Sequence, residues 1–463
     1  MLFNSFEFIF LFLPVAIIVY FLLNKWHNPL AKLWLICASL FFYSWWNIKY
    51  LPLILVSIGF NYFIGKTLSQ ENLKLNRKTV LIIGLVGNVG LLSYFKYADF
   101  FINNLNFVLS TNLAVLNIAL PLAISFFTFQ QIAYLVDSYK GEVQEYDLLN
   151  YALFVSFFPQ LIAGPIVHHK EMMPQFLSKD NHGVNYANLS AGLLIFIIGL
   201  FKKVVIADTF AIWATYGFDV APVLTFVEAW IVSLSYTFQL YFDFSGYTDM
   251  ALGAALMLNI KLPINFFSPY KALSIQDFWR RWHMTLSRFL QNYIYIPLGG
   301  NRHGEYKTYR NLMITFLIGG LWHGAGWNFI FWGFLHGLAL IIHRYWLKLN
   351  LKMNHLIAWI ITFNFVNITW VFFRAETWAD AIKVLKGMIG LNGITFNHFL
   401  LTDVKKAFIY IIAGLIISVL CKNSIEIKDR LKPNLIYMLV VVILGVIGLS
   451  QITGVSEFLY FNF

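Results

Sequence analysis

The chain has 463 residues, of which 59% are hydrophobic, 19% aromatic and 12% charged. Soluble domains carry about a quarter of their residues as charged groups, so this composition excludes a soluble globular protein and specifies a polytopic integral membrane protein. The formal net charge of +11 does not point to nucleic acid, because the basic residues are scattered between apolar segments rather than gathered in one domain. That pattern reads as membrane topology and contact with anionic lipids.

About twenty apolar residues cross a bilayer. Segments of that kind lie near residues 6–24, 31–46, 51–65, 79–96, 114–135, 148–166, 187–216, 222–241, 244–260, 311–342, 355–373, 405–421 and 434–450. Several are short enough to be re-entrant, so about eleven to thirteen membrane-embedded helices are expected. The first, Phe6 to Leu23, has no basic residues before it and no small-residue cleavage site after it, so it reads as a retained span rather than a signal peptide. Cys37 and Cys421, the two cysteines, both fall in apolar segments and read as packing residues, too few for a disulfide framework or a metal cluster. His168, His169 and His182 fall in a predicted external loop with Lys170 and Glu171, without metal-ligand spacing. Lys202 and Lys203 interrupt the seventh segment. Asp243, Ser245, Tyr247 and Asp249 break the apolar run near the ninth. Buried polar groups there must be paired, so they read as structural glue.

The most basic stretches are the loop with Lys66, Lys74, Arg77 and Lys78, the stretch from Lys261 to Arg310, and the loop with Lys422, Lys428, Arg430 and Lys432. Basic loops stay in the cytoplasm, and counting outward places both termini outside. Within the second stretch, Trp279, Trp282, Leu286, Phe289 and Leu290 share one face of a predicted surface helix, with Asp277, Arg281 and Arg288 on the other. His283 falls on the apolar side, where a surface helix has no packing reason to turn an imidazole. An interfacial histidine beside Trp279 and Trp282 is the plainer alternative.

Residues 311–342 have basic flanks at both ends, Arg302, Lys307 and Arg310 before and Arg344, Lys348 and Lys352 after. Both ends should then face the cytoplasm. Thirty-two residues are too few for two full spans, and the stretch fits a re-entrant hairpin turning near Gly324-Ala325-Gly326, with His323 near mid-membrane. One long tilted helix is the alternative. An ionisable side chain at that depth is costly and is a functional-site candidate by default. Gly319, Gly320, Gly324 and Gly326 strip side chains from around His323, which would let a substrate or another backbone approach the imidazole. A lone membrane histidine can also simply bond a neighbouring carbonyl. His336, thirteen positions on, would stand about 20 Å away along one straight helix and would not share the site. His336 and His343 read as interface residues.

The stretches Trp322-His323-Gly324 and Trp282-His283, with Leu122 to Gln130, Phe158 to Pro165, Tyr241 to Met250 and Trp370 to Ala375, resemble the membrane-bound O-acyltransferase family and its bacterial branch of alginate, peptidoglycan and teichoic-acid acyltransferases. The resemblance runs the length of the chain. It implies one all-α domain over 1–463, with a core motif region of about 120–375 and an aromatic tail at 457–463, built as a ring of helices around a central tunnel. It matches His323 to the family's invariant histidine and His283 to the partner position. A neutral imidazole in a low-dielectric pocket can accept a hydroxyl proton, as acyl transfer from a thioester to an alcohol requires. His283 would orient the donor, polarise the thioester carbonyl or assist His323.

The same resemblance implies acetyl-CoA as a donor substrate, no resident cofactor or metal, and transfer from the bacterial cytoplasmic membrane to an envelope polysaccharide through an extracytoplasmic acyltransferase partner. Tyr460, in the aromatic tail, is implied as the acyl relay; an interfacial aromatic belt is the alternative for the tail. Lys271, Arg280, Arg281 and Arg288 suit the donor's phosphates, although positive-inside topology alone also accounts for them. A D-alanyl transferase fed by a carrier protein is a second reading. A polysaccharide or lipid transporter is a third; it predicts paired intramembrane charges and internal repeats, which the sequence does not display. The Lys-, Asn- and Ile-rich usage favours peptidoglycan over alginate as acceptor.

Overall fold

Backbone groups surrounded by lipid have no water to bond, so an apolar run satisfies them within itself and becomes a helix. The computed structural model describes residues 1–70, 75–143, 147–395, 401–430, 434–452 and 458–459. Among them it contains helices and loops and no strand. Five stretches are long and apolar enough to cross a membrane: Glu7–Asn24, Ile48–Leu68, Arg77–Leu109, Tyr186–Val220 and His355–Arg374. The protein is an all-α polytopic membrane protein. Its chain divides into two compact units, residues 1–196 with 250–263, and residues 197–249 with 264–463.

The first unit holds α1 (Leu13–Asn24), α2 (Asn28–Ser44), α3 (Leu51–Leu68), α4 (Arg77–Leu92), α5 (Ala98–Leu109), α6 (Ile124–Lys140), α7 (Leu148–Ser156), α8 (Phe158–Leu161), α9 (His169–Leu177) and the start of α10 (Tyr186–Phe201). Prolines stand in the first turn of α1, α2 and α3, where the missing N–H costs no helical hydrogen bond. Phe8, Phe12, Phe42 and Phe158 pack as one aromatic cluster, with Phe12 and Phe158 edge to face at 5.1 Å. Polar side chains at helix depth bond one another: Asn88 donates to Asn61 Oδ1 at 2.6 Å, and Asn61 donates to Gln131. Gln130 and Gln160 both donate to the Phe154 carbonyl, at 2.8 and 2.7 Å. Two of the resemblance stretches are therefore internal glue. His168 and His169 are buried, and His169 opens α9 rather than lying in a loop. His168 lies 3.8 Å from Asp137, and His169 packs on Tyr134 and Phe154. A pair of histidines at the start of a short amphipathic helix has no sequence signature separating it from a loop.

The second unit continues with the end of α10, α11 (Asp208–Thr215), most of α12 (Phe226–Met257), α13 (Ile275–Trp279), α14 (Met284–Leu290), α15 (Glu305–His323), α16 (Trp327–Lys348), α17 (His355–Arg374), α18 (Trp378–Met388), α19 (Val404–Leu415), α20 (Ser424–Asp429) and α21 (Leu435–Ser450). The two segments expected at 222–241 and 244–260 form one helix of 32 residues, α12, without a break at Asp243. The reason is charge pairing. Lys203 Nζ lies 2.7 Å from Asp243 and 2.9 Å from Asp208, and Lys202 Nζ lies 2.7 Å from Asp249, which also accepts from Ser424 Oγ at 2.7 Å. Asp243 and Asp249 are thus paired, as their reading as structural glue requires, and paired intramembrane charges are present although the sequence does not display them; the helical turns widen over Lys202–Ala207 to carry the lysines. Cys37 and Cys421 are exposed on the surface of the fold rather than packed in a core. The surface is itself apolar: on α21 alone Leu435, Ile436, Val442, Ile443 and Val446 are exposed, as lipid-facing positions require.

Candidate active site

The segment carrying His283 is neither a surface helix nor continuous. α13 ends at Trp279, α14 begins at Met284, and His283 between them holds φ 42° and ψ 53°, left-handed backbone that a side chain disfavours by roughly 1–2 kcal/mol. Trp282 and His283 are buried, His283 completely. The left-handed turn is held from the chain segment after α12. The Asn265 carbonyl accepts from Met284 N–H at 3.0 Å, and its side-chain Oδ1 accepts from Thr285 Oγ1 at 2.8 Å and Thr285 N–H at 3.3 Å. The same Oδ1 lies 3.1 Å from His283 Nδ1. An oxygen that already accepts from Thr285 accepts again here, so Nδ1 carries the proton and Nε2 carries the lone pair. Burial pushes the His283 pKa down to about 3, keeping the ring neutral. Asn265 is the positioning residue that sequence reasoning missed. Nothing in the sequence set it apart from the other polar side chains of that connection, Asn259, Lys261 and Ser268.

His323 is the last residue of α15, and the chain turns at Gly324-Ala325-Gly326 into α16. The hairpin alternative is therefore the one that forms. Its arms, of 19 and 22 residues, run past the apolar stretch at both ends and are about 28 and 33 Å long, so each is longer than the sequence reading allowed. The glycines serve the hairpin more than the site. A Cβ on Gly320 would stand 2.3 Å from the Phe329 carbonyl, one on Gly333 would stand 2.3 Å from the Phe316 carbonyl, and one on Gly324 would enter the Phe329 ring. Backbone-to-backbone contact between the arms fixes where α15 ends, and so where His323 sits. Glu305 and Lys348 pair at the open end.

The two histidine rings meet, with centroids 6.4 Å apart. Around them stand Trp322, Trp332 and Phe373, each 4.9 to 5.1 Å from the His323 ring, and Phe244, edge-on to His283 at 4.8 Å. His323 is 3% exposed. This is a buried aromatic cluster holding two imidazoles. His336 is separate from it: Trp332 stands between the two histidines, at 5.1 Å from His323 and 4.7 Å from His336. Its Nδ1 accepts from Trp279 Nε1 at 3.2 Å and its Nε2 meets Thr369 Oγ1 at 3.1 Å, the satisfied geometry of a structural histidine.

A model of the membrane-bound O-acyltransferase family matches residues 39–376. The chain belongs to that family. It is 51% identical to a peptidoglycan O-acetyltransferase of Helicobacter pylori, over the whole of this chain and 98% of the relative. It is 41% identical to a probable alginate O-acetylase of Pseudomonas aeruginosa over 88% of this chain and 77% of the relative. A teichoic acid D-alanyltransferase of Bacillus subtilis is 30% identical over 53% of this chain and 66% of the relative. As a member of the O-acyltransferase family the protein is an enzyme.

The basic residues beside this O-acyltransferase cluster have different surroundings. Arg280 is exposed and lines a cavity of about 340 Å³ together with Arg344, His343, Gln276 and Gln291. Trp279, Leu290 and Phe316 line its apolar side. Arg281 Nε pairs with Asp277 at 2.8 Å, and Lys271 Nζ donates to the Cys421 carbonyl at 2.7 Å. Arg288 is half-buried on α14 and does not line the cavity. Among the described residues no three His, Cys, Asp or Glu side chains gather as a metal site. Tyr460 lies outside the described residues, although Phe458 and Leu459 just before it are described.

Proposed function

We propose that the protein moves acetyl from cytoplasmic acetyl-CoA to hydroxyls of a cell-envelope polysaccharide, peptidoglycan first, from the bacterial cytoplasmic membrane. The observation that carries this reading is the buried pair of His283 and His323 in one aromatic cluster. The full-length likeness to a peptidoglycan O-acetyltransferase supports acetyl as the group and peptidoglycan as the acceptor. His323 is the general base. As the attacking hydroxyl oxygen bonds the thioester carbonyl carbon, His323 takes the hydroxyl proton, the carbon–sulfur bond breaks, and the proton passes to the departing thiolate. An acetyl ester and the free thiol result. His283 donates its only proton to Asn265, so it presents an acceptor. That supports orienting the donor or assisting His323, and argues against polarising the carbonyl.

The attacking hydroxyl in this reading is the phenol of Tyr460, and an extracytoplasmic partner acyltransferase then transfers the acetyl to a sugar hydroxyl and regenerates the phenol. Arg280 and Arg344, on the wall of the cavity beside Trp279, are placed to hold the donor's phosphates. Arg281, Arg288 and Lys271 are less suited to that role: Arg281 pairs with Asp277, Lys271 bonds the Cys421 carbonyl, and Arg288 does not line the cavity. Purified protein supplied with labelled acetyl-CoA tests the proposal. His323→Ala should lower acetyl transfer by roughly 10²–10⁴-fold with membrane insertion unchanged; activity within about tenfold of the parent overturns the base assignment. Transfer from a D-alanyl carrier protein but not from acetyl-CoA would establish the D-alanyl alternative instead.

A further inference from the structure

The buried charges on α12 hold more than one another. Asp243 is 1% exposed and turns one carboxylate oxygen to Lys203 Nζ at 2.7 Å. Its other oxygen, Oδ2, accepts the backbone N–H of Leu459 at 3.0 Å. One turn along α12, Tyr247 stacks on the ring of Phe458, with centroids 4.4 Å apart and planes at 20°. Phe244, on the same helix, touches Phe458 at 5.8 Å on one side and His283 at 4.8 Å on the other. Phe458 is 2% exposed. A C-terminal residue is ordinarily frayed unless something ties it down. Here a charge-assisted hydrogen bond and an offset aromatic stack do so, one ring away from His283. Tyr460 follows Leu459 directly in the chain.

We propose that Asp243, Phe244 and Tyr247 form a seat for Phe458 and Leu459 that positions the C-terminal tail to deliver its Tyr460 hydroxyl to the His283–His323 cluster. Asp243 is a positioning residue: it fixes the tail backbone, while Lys203 and Asp208 keep its charge compensated at that depth. The division of labour is specific. The stack sets where Phe458 lies sideways on α12, and the bond to the Leu459 N–H sets the register of that residue along the helix. The inference rests on the relay reading for Tyr460.

The test uses full-length protein in vesicles, with Cys37 and Cys421 changed to Ser and Leu459→Cys as the reporter, and reads both maleimide labelling at position 459 and the labelled acetyl adduct on the C-terminal peptide by mass spectrometry. Phe458→Ala should raise the labelling rate and lower the adduct, each by about tenfold, because it removes the aromatic stack and the area the ring buries. Phe458→Tyr, which keeps the stack, should restore both. Asp243→Asn, which keeps an acceptor for Leu459 N–H but removes the charge, should give an intermediate adduct level; a monodisperse elution profile identifies it as folded. Equal labelling with and without Phe458→Ala overturns the seat, and so does an unchanged adduct when labelling rises. Absence of any adduct in the parent protein overturns the relay reading, and the positioning role with it, whereas an adduct in the parent that Phe458→Ala leaves untouched removes the seat alone.

Discussion

At the scale of single residues, His283 shows how a side chain's environment selects its role. Its left-handed backbone and its bond to Asn265 fix the ring and the tautomer together, so His283→Asn, which keeps a polar group at Nδ1's place, should retain more activity than His283→Leu. Equal loss in both, measured as initial transfer rate, would show that the imidazole itself is needed. Burial also makes the residue a pH reporter. Its folded pKa of about 3 lies below the ordinary 6.5, so the unfolded chain binds the proton more readily as pH falls. The stability contributed by the neutral ring is complete above pH 6.5 and is lost as pH drops from there toward 3. His283→Asn abolishes that dependence, and the melting temperature of the parent should fall relative to the variant between pH 7 and pH 5. Parallel curves would exclude a buried neutral imidazole. Asn265→Leu should release the tautomer and leave Thr285 without its acceptor, lowering the rate more than it lowers the melting temperature.

At the scale of elements, the α15–α16 hairpin decides where His323 is presented. Gly320 and Gly333 bring the two arms into backbone contact, with carbonyls 2.3 Å from where either Cβ would stand. Neither carbonyl can move without breaking its helix. Gly333→Ala should therefore splay the arms and destabilise the protein by about 1–3 kcal/mol, read as a lower melting temperature together with reduced activity at His323. Gly90, whose Cβ would meet nothing within 4 Å, is the matched control, and Gly90→Ala should be close to neutral. A melting temperature unchanged by Gly333→Ala would contradict close packing of the arms. The sequence left open whether the glycines admit a substrate or another backbone; at Gly320 and Gly324 it is Phe329 of the opposite arm that takes the space.

At the scale of the molecule, the second unit is organised by ions placed where lipid-soluble helices cannot afford unpaired ones. Lys203 sits between Asp243 and Asp208, 3% exposed, while Lys202 answers Asp249. Lys203→Met leaves the buried Asp243 carboxylate without its cation and should cost about 3–5 kcal/mol, read as loss of the monodisperse species after purification. Lys203→Met combined with Asp243→Asn should recover much of that loss, because the uncompensated charge is gone; no recovery would mean that the pair is incidental. These pairs do not make the chain a transporter. They hold α12 as one helix, and Asp243 also accepts the Leu459 N–H.

The sequence by itself determined that this is a helical membrane protein, since hydropathy over some twenty residues is a local property. It singled out His283 and His323, because an imidazole amid apolar residues is conspicuous in any window. It could not show the Lys203–Asp243 pair, whose members lie forty positions apart on different helices, nor that His168 and His169 turn inward. It left hairpin and long helix open at Gly324, and charge counting assigned the tail and the His283 stretch to opposite sides of the membrane. Tertiary packing closed the hairpin at Gly324, turned His168 and His169 inward, and set a single aromatic ring, Phe244, between Phe458 and His283. The reason is physical. Hydropathy and charge rules sum over neighbours in the chain, whereas a buried aromatic cluster, a fixed tautomer and a buried ion pair each require side chains from separate segments to arrive within a few ångströms of one another.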